Sequence, residues 1–306
     1  MLHFLPADSG LLRCFINAMK KEIEIIIEKE LHGKKIEHIL KVKARLSETL
    51  IRRLKRTEGG ILLNGKSAKV IEKVSFGDVI KVTVTEKNSS NILPAKILLD
   101  IIYEDEDILA VNKPRSMPTH PSKGHREDTL ANGVIYYLGK DSKFHVITRL
   151  DLDTSGVVLI AKNPVSATFL TDEMKNGRIQ KEYVAVINGE LNPQNGIITA
   201  AIKKKNENGI LRCVSPDGKE ALTKYKTVKS KNGISLVKLF PITGRTHQLR
   251  VHMSYMNCPI YGDSLYGAVQ KGERTLLHCR KISFTHPVTK KNISITAPLC
   301  DDIKIV

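Results

Sequence analysis

The apolar residues of this chain come in short pieces. The longest unbroken apolar stretch is about six residues, Gly156 to Ala161, where a membrane-spanning helix needs about 20. Short pieces set between turn residues build strands and brief helices on a shared core, and they exclude a transmembrane helix. The chain has 306 residues, room for two domains at about 100–200 residues each. Hydrophobic residues at 41% and charged residues at 26% are ordinary for a globular protein, so disordered, collagen-like and fibrous classes drop out. The N-terminus, MLHFLPADSGLLRCFINAMKK, has no basic segment ahead of an apolar one and no clean cleavage site, so secretion is not expected. Cys14, Cys213, Cys258, Cys279 and Cys300 are scattered and never spaced CxxC. They read as the reduced thiols of a cytoplasmic protein.

Charge gives the first positive clue. Lys plus Arg is 49 and Asp plus Glu is 32, a net charge of +17. Such an excess attracts polyanions. Nucleic acid is the expected partner, and an anionic membrane surface is the rival. Aromatic residues are only 5%, with no Trp, so contact through backbone charge and shape is expected rather than stacking of many bases.

The charge is uneven. Residues 34–69 hold 11 Lys/Arg against 3 Asp/Glu, a net +8 that matches the whole of residues 1–98. Ahead of this module, Ile23, Ile25 and Ile27 alternate with Glu22, Glu24, Ile26 and Glu28, which predicts a strand. Ile36, Ile39 and Leu40 fall at helical spacing. Ser47 can cap a second helix with Leu50, Ile51 and Leu54 inside and Arg52, Arg53, Lys55 and Arg56 outside. Gly59-Gly60 ends it. Ile61–Leu63, an Asn64-Gly65 hairpin turn and a strand over Val79–Val84 complete the pattern. The segment KNSSNILPAK is polar and reads as a linker.

The second part is strand-rich. Ile108–Val111, Val157–Ala161, Tyr183–Ile187, Leu236–Leu239 and Ile293–Thr296 are short apolar or β-branched runs, and helical patterns fall at about 128–138 and 164–175. The expected fold class is α+β: a mixed, mainly antiparallel sheet flanked by helices, preceded by a small α/β domain.

Two segments could carry chemistry. VITRLDLDTSGVVLIAKN, Val146 to Asn163, sets a polar turn directly against an apolar strand. Charges beside a core strand are costly unless paired or solvated, and such a turn suits an active-site loop. Asp151 and Asp153 could be a DxD pair for a metal or nucleotide sugar, or a carboxylate pair for glycosidic chemistry. Alternatively, one acts while the other caps the turn, or both sit in an ordinary surface turn. LFPITGRTHQLRVH, residues 239–252, crowds Arg245, His247, Arg250 and His252 around a Thr243-Gly244 turn. His247, Leu249 and Val251 alternate with Gln248, Arg250 and His252, which predicts a strand. His247, His252, His278, Cys258 and Cys279 match no common zinc spacing, so no metal is expected.

Six segments, in order, resemble the motifs of the RluA family of pseudouridine synthases: ILAVNKPRSMPTHP (Ile108–Pro121), RLDLDTSG (Arg149–Gly156), KEYVAVINGE (Lys181–Glu190), TGRTHQLRVH (Thr243–His252), IYGDSLYG (Ile260–Gly267) and LLHCRKISFTHP (Leu276–Pro287). The strand–helix–helix–hairpin order with LLNGK and FGDVIKV resembles an S4-like RNA-binding domain, a frequent companion in that family. The division implied is an N-terminal extension (1–21), an S4-like domain (22–87), a linker (88–97) and a catalytic domain (98–306). Two departures stand out. Thr148 replaces a frequent His, which touches loop packing, and Arg115 replaces a small residue, which is expected to alter the mouth of the cleft.

The resemblance implies isomerisation of uridine in RNA. The N1–C1′ bond breaks, the base turns, and C5 joins C1′. Nothing is oxidised or hydrolysed, so no cofactor, metal or nucleotide is implied. Asp151 is the implied catalytic carboxylate, as a nucleophile at C1′ or a base at C2′. Arg245 is its implied ion-pair partner, keeping it charged. Tyr183 is implied to lie against the uracil and to position it, because a phenol with a pKa near 10 is a poor base at neutral pH. Arg149 is implied to brace the space left by a flipped nucleotide. Thr154, Lys113, His120 and Arg250 are expected at the RNA near the site, and Arg52, Arg53 and Arg56 at phosphates farther off. The expected partner is RNA, ribosomal ahead of transfer RNA, met by a cytoplasmic monomer that binds no membrane.

Overall fold

The computed structural model describes residues 12–17, 20–85, 92–139, 142–267 and 274–305. Its first sheet has five strands, β1 (Leu12–Asn17), β2 (Lys20–Ile26), β3 (Ile61–Leu63), β4 (Lys66–Ser67) and β5 (Val79–Thr85), in the order β1-β2-β5-β3-β4. Two helices, α1 (Ile36–Val42) and α2 (Glu48–Leu54), lie between β2 and β3 in the chain. Successive strand side chains point to opposite faces. Ile23, Ile25, Ile80, Val82 and Val84 therefore turn inward together, onto Ile36, Ile39, Leu40, Leu50, Ile51 and Leu54. The Ser47 hydroxyl accepts a hydrogen bond from the Leu50 amide at 3.2 Å. Asn64 and Gly65 both take positive φ, 51° and 80°, as a tight hairpin turn requires.

The extension expected over residues 1–21 is in part sheet. β1 pairs antiparallel with β2, which already begins at Lys20; residues 1–11, 18 and 19 lie outside the described residues. Of the expected linker, residues 92–97 carry no helix or strand, and 88–91 fall outside the described residues.

The second sheet holds ten strands: β6 (Ile101–Glu104), β7 (Ile108–Lys113), β8 (His145–Val146), β9 (Ser155–Ala161), β10 (Gln180–Asn188), β11 (Asn195–Thr199), β14 (Leu222–Lys231), β15 (Ile234–Pro241), β16 (Leu277–Thr285) and β17 (Asn292–Thr296). The hairpin of β12 (Ile202–Lys204) and β13 (Arg212–Val214) stands apart. The order is β11-β14-β15-β10-β16-β9-β7-β6, with β17 on β16 and β8 on β9. All its pairings are antiparallel except that of β16 with β9. Every residue of β9 is buried, as befits a strand covered on both faces. Helices α3 (Leu130–Leu138), α4 (Pro164–Lys175) and α5 (Gln248–Tyr255) contribute Leu130, Val134, Phe169, Leu170, Leu249 and Met253 to the same core. Among the described residues no helix is long and apolar enough to cross a membrane.

The strand expected over 247–252 is instead the start of α5. His247 adopts a left-handed φ of 56° ahead of it. All residues from Gln248 to Met253 are buried, so the segment has no wet face to reveal a helical period.

Helix α4 joins the two sheets. The Lys21 ammonium pairs with Asp107 out of contact with water. Asp107 also accepts from Asn163 Nδ2 at 2.8 Å and Ser166 Oγ at 2.6 Å, at the start of α4. About two turns further along α4, Arg45 Nη1 donates to Glu173 Oε1 at 3.0 Å. Val165 packs on the first core.

Candidate active site

Strand register gathers the site. Gly156 on β9 pairs with Cys279 on β16, Cys279 pairs with Tyr183 on β10, and Tyr183 pairs with Leu239 on β15. These four positions form one row across the sheet. Gly156 has φ of 111°, and a Cβ there would lie 2.2 Å from the Cys279 carbonyl oxygen. Only glycine allows so close an approach. The turn leading into β9, the face of Tyr183 and the loop leaving β15 therefore open onto one cleft of about 930 Å³.

The cleft brings together His120, Arg149, Asp151, Thr154, Tyr183, Arg245 and Arg250. Asp151 is partly exposed, with its Oδ2 3.8 Å from Arg250 Nη1. The ion pair expected with Arg245 is thus made by Arg250. Arg245 is exposed, and its Nε donates to the Glu220 carbonyl at 2.8 Å. The reason lies in the loop. Gln248 Oε1 accepts from the Arg245 amide at 2.9 Å and from Thr243 Oγ1 at 2.8 Å, fixing the backbone so that the Arg245 side chain leaves toward Glu220.

Arg250 was expected at a phosphate or sugar. It is 3% exposed. Its Nε and Nη2 donate to the two oxygens of Asp263 at 2.7 Å each, and its guanidinium lies 5.2 Å from the Tyr266 ring centre. A bidentate pair of this kind locks a guanidinium in place. Burial works against the charged form, yet Asp263 and then Asp151 outweigh it, and the Arg250 pKa rises.

Lys113 has no path to RNA. It is 0% exposed, and its ammonium donates to the carbonyls of Pro114, Met117 and Leu152 at 2.8, 2.8 and 3.2 Å. Three carbonyls use its three donors. Burial lowers its pKa to about 8 against the pull of Asp151 and Asp153. Lys113 thus fastens the Asp151 turn through the Leu152 carbonyl, a correction to its expected role in contacting RNA. Thr154, also expected at RNA, is buried, and its amide closes the turn on the Asp151 carbonyl at 3.2 Å. Thr148 is buried too, and its hydroxyl accepts from the Leu159 amide at 2.9 Å. Arg115 does not stand at the mouth of the cleft. It lines a separate cavity with Arg274 and Asp302.

Tyr183 is 8% exposed. Burial, Cys279 and Asp151 all push its pKa well above the usual phenol value. The Cys279 thiol is itself pushed up to about 12, chiefly by burial. Arg149 is exposed at the cleft. His120 is half-buried, edge-on to Phe144 with ring centres 4.9 Å apart, and burial followed by Arg149 lowers its pKa. On α2, Arg52 is exposed and Arg53 half-buried, and Arg56, just after the helix, is exposed.

Sequence reasoning missed Asp263, Tyr266 and Lys181. Asp263 and Tyr266 stand in IYGDSLYG, and Lys181 opens KEYVAVINGE, so each was visible as a motif letter without a role. Tyr266 binds His247 Nδ1 through its hydroxyl at 2.7 Å. Lys181 lines the cleft, and burial lowers its pKa. Chemically, the site offers a carboxylate beside a locked cation and a protonated phenol on the same wall.

Comparison with known proteins gives the family. A family model described as RNA pseudouridylate synthase matches residues 107–255. A Bacillus subtilis protein named as the uncharacterized RNA pseudouridine synthase YjbO is 37% identical over 263 residues, covering 84% of this chain and 93% of its own. The ribosomal large subunit pseudouridine synthase D of Xylella fastidiosa is 33% identical, covering 80% of this chain and 79% of its own. Among solved structures, human RNA pseudouridylate synthase domain containing 4 aligns with a TM-score of 0.56 at 25% identity, covering 67% of this chain and 90% of its own.

Proposed function

Because the chain belongs to the RNA pseudouridine synthase family, isomerases that act on RNA, we propose that it converts specific uridines of large-subunit ribosomal RNA to pseudouridine. The observation that carries this reading is Asp151 beside the locked Arg250, in the cleft whose wall holds Tyr183. The target nucleotide leaves its stack to reach Asp151, and Arg149 braces the vacated space. The Asp151 carboxylate acts on the ribose, at C1′ or at C2′, and either route needs it ionised. The N1–C1′ bond breaks, uracil turns, and a C5–C1′ bond forms. C5 loses its proton and N1 gains one, so the balance is isomeric. Tyr183, held protonated, supports the uracil and does not accept the C5 proton.

Ribosomal RNA is favoured over transfer RNA by the name of the Xylella fastidiosa relative and by the basic module, read as an S4-like grip on phosphates. Arg52 and Arg56 are exposed for that contact. The enzyme works in the cytoplasm as a monomer, without cofactor.

The test uses large-subunit ribosomal RNA and a transfer RNA pool, each tritiated at uridine C5. Wild type is expected to release tritium from the ribosomal RNA, and Asp151→Asn to release none. Release from transfer RNA alone would overturn the substrate, and equal release by the variant would overturn the role of Asp151.

A further inference from the structure

A second cavity, of about 670 Å³, lies between the two halves of the molecule, walled by α1 and the loop after it on one side and by α4 on the other. Its charged lining is Lys41, Arg45, Lys175 and Arg178 against Asp172. Lys175, in the last turn of α4, also lines the catalytic cleft. The two hollows therefore meet at one exposed lysine, which makes no ion pair among the described residues.

Beneath the groove, Glu173 is 3% exposed. It accepts from Arg45 Nη1 at 3.0 Å and from Arg178 Nε at 2.9 Å. Arg178 Nη2 also donates to Asp172 Oδ2 at 3.3 Å, so the two guanidiniums and two carboxylates balance, and Lys175 adds the positive charge of the groove. Each guanidinium has five N–H donors, and only some are used here. Arg45 is held further by Phe169, whose ring centre lies 4.9 Å from its guanidinium carbon. Both arginines remain about half exposed, at 46% and 49% of the side chain. Two guanidiniums fixed by a buried anchor, with donors to spare and Lys175 lining the same groove, match a phosphate.

We propose that this groove is a second RNA-binding site. Arg45 and Arg178, set by Glu173, take one backbone phosphate, and Lys175 takes another nearer the cleft. The strand held is the one that leaves the catalytic cleft toward the basic module. This rests on the reading that the substrate is RNA, and it adds the path that RNA follows between the two halves.

Two variants test it. Lys175→Gln removes an exposed cation. Arg45→Gln/Glu173→Gln/Arg178→Gln removes the trio without leaving a buried charge unpaired. RNA affinity is measured against salt concentration for each. The expected result is a log–log slope shallower by about one unit for each variant, and affinity about tenfold weaker near 0.1 M salt. Unchanged slopes in folded variants overturn the proposal. If the triple variant fails to fold, Lys175→Gln decides alone. Because the readout is binding, the two readings separate. Wild type that binds ribosomal RNA in a salt-dependent way but releases no tritium overturns the proposed function and leaves the slope comparison valid. Wild type with no salt-dependent RNA binding overturns both.

Discussion

Helices α2 and α5 both carry arginines, and they use them in opposite ways. On α2, Leu50, Ile51 and Leu54 face the core while Arg52 faces solvent, 3.8 Å from Glu48. On α5, Arg250 lies in the core, its guanidinium bound at two points to Asp263 and near Asp151. An arginine in water is free to meet a partner. An arginine in the core is scaffold, and its charge is aimed at one place. The first kind is open to a partner from solution, and the second is held beside a neighbouring carboxylate.

Substitution on α5 should show the larger effects. Arg250→Met leaves the buried Asp263 without its cation, so a loss of about 3–5 kcal/mol is expected in urea unfolding. Activity should fall by at least about 10³-fold, because Asp151 loses its cation. The double variant Arg250→Met/Asp263→Leu sharpens the point. It should regain most of the stability and remain inactive. Arg245→Ala should cost far less activity than Arg250→Met in the same tritium assay, and the reverse ranking would break the assignment.

On α2 the packing is expected to matter first. Leu50→Ala should lower stability by about 2–5 kcal/mol in urea unfolding. Ser47→Ala removes the cap and should cost about 1 kcal/mol. Arg52→Gln is the mildest change for folding. It should leave the melting temperature in place and reduce the salt slope of RNA affinity by about one unit. An altered melting temperature with an unchanged slope would place Arg52 with the scaffold residues and erase the contrast between the helices.

The same contrast explains what the sequence made legible. The Ile23–Ile25–Ile27 alternation, the Ser47 cap and the Asn64-Gly65 turn were readable because each meets solvent on one side, and water enforces the pattern. The central strands were readable as apolar runs. Helix α5 was not, since burial on all sides removes the amphipathic signal. The resemblance located the Asp151 turn, Tyr183 and the cleft that holds them. It did not rank Arg245 against Arg250, because that choice depends on Gln248 clasping the loop and on Asp263 receiving a guanidinium. Lys113 misled for a related reason. A lysine in a motif suggests a phosphate, and only the fold reveals three backbone carbonyls around its ammonium.

The row Gly156–Cys279–Tyr183 carries a consequence for synthesis. Ser155 and His278, its near neighbours, are 123 residues apart in the chain and hydrogen-bonded at 2.9 Å. Domains emerge from the ribosome N-terminus first, at about 5–20 residues per second. The basic module is complete well before β16 exists, while the wall between the catalytic turn and Tyr183 waits for β16. A growing chain thus carries the folded basic module for many seconds before the cleft is closed. A chain that stops short of β16 therefore has the basic module but lacks the wall that joins the Asp151 turn to Tyr183.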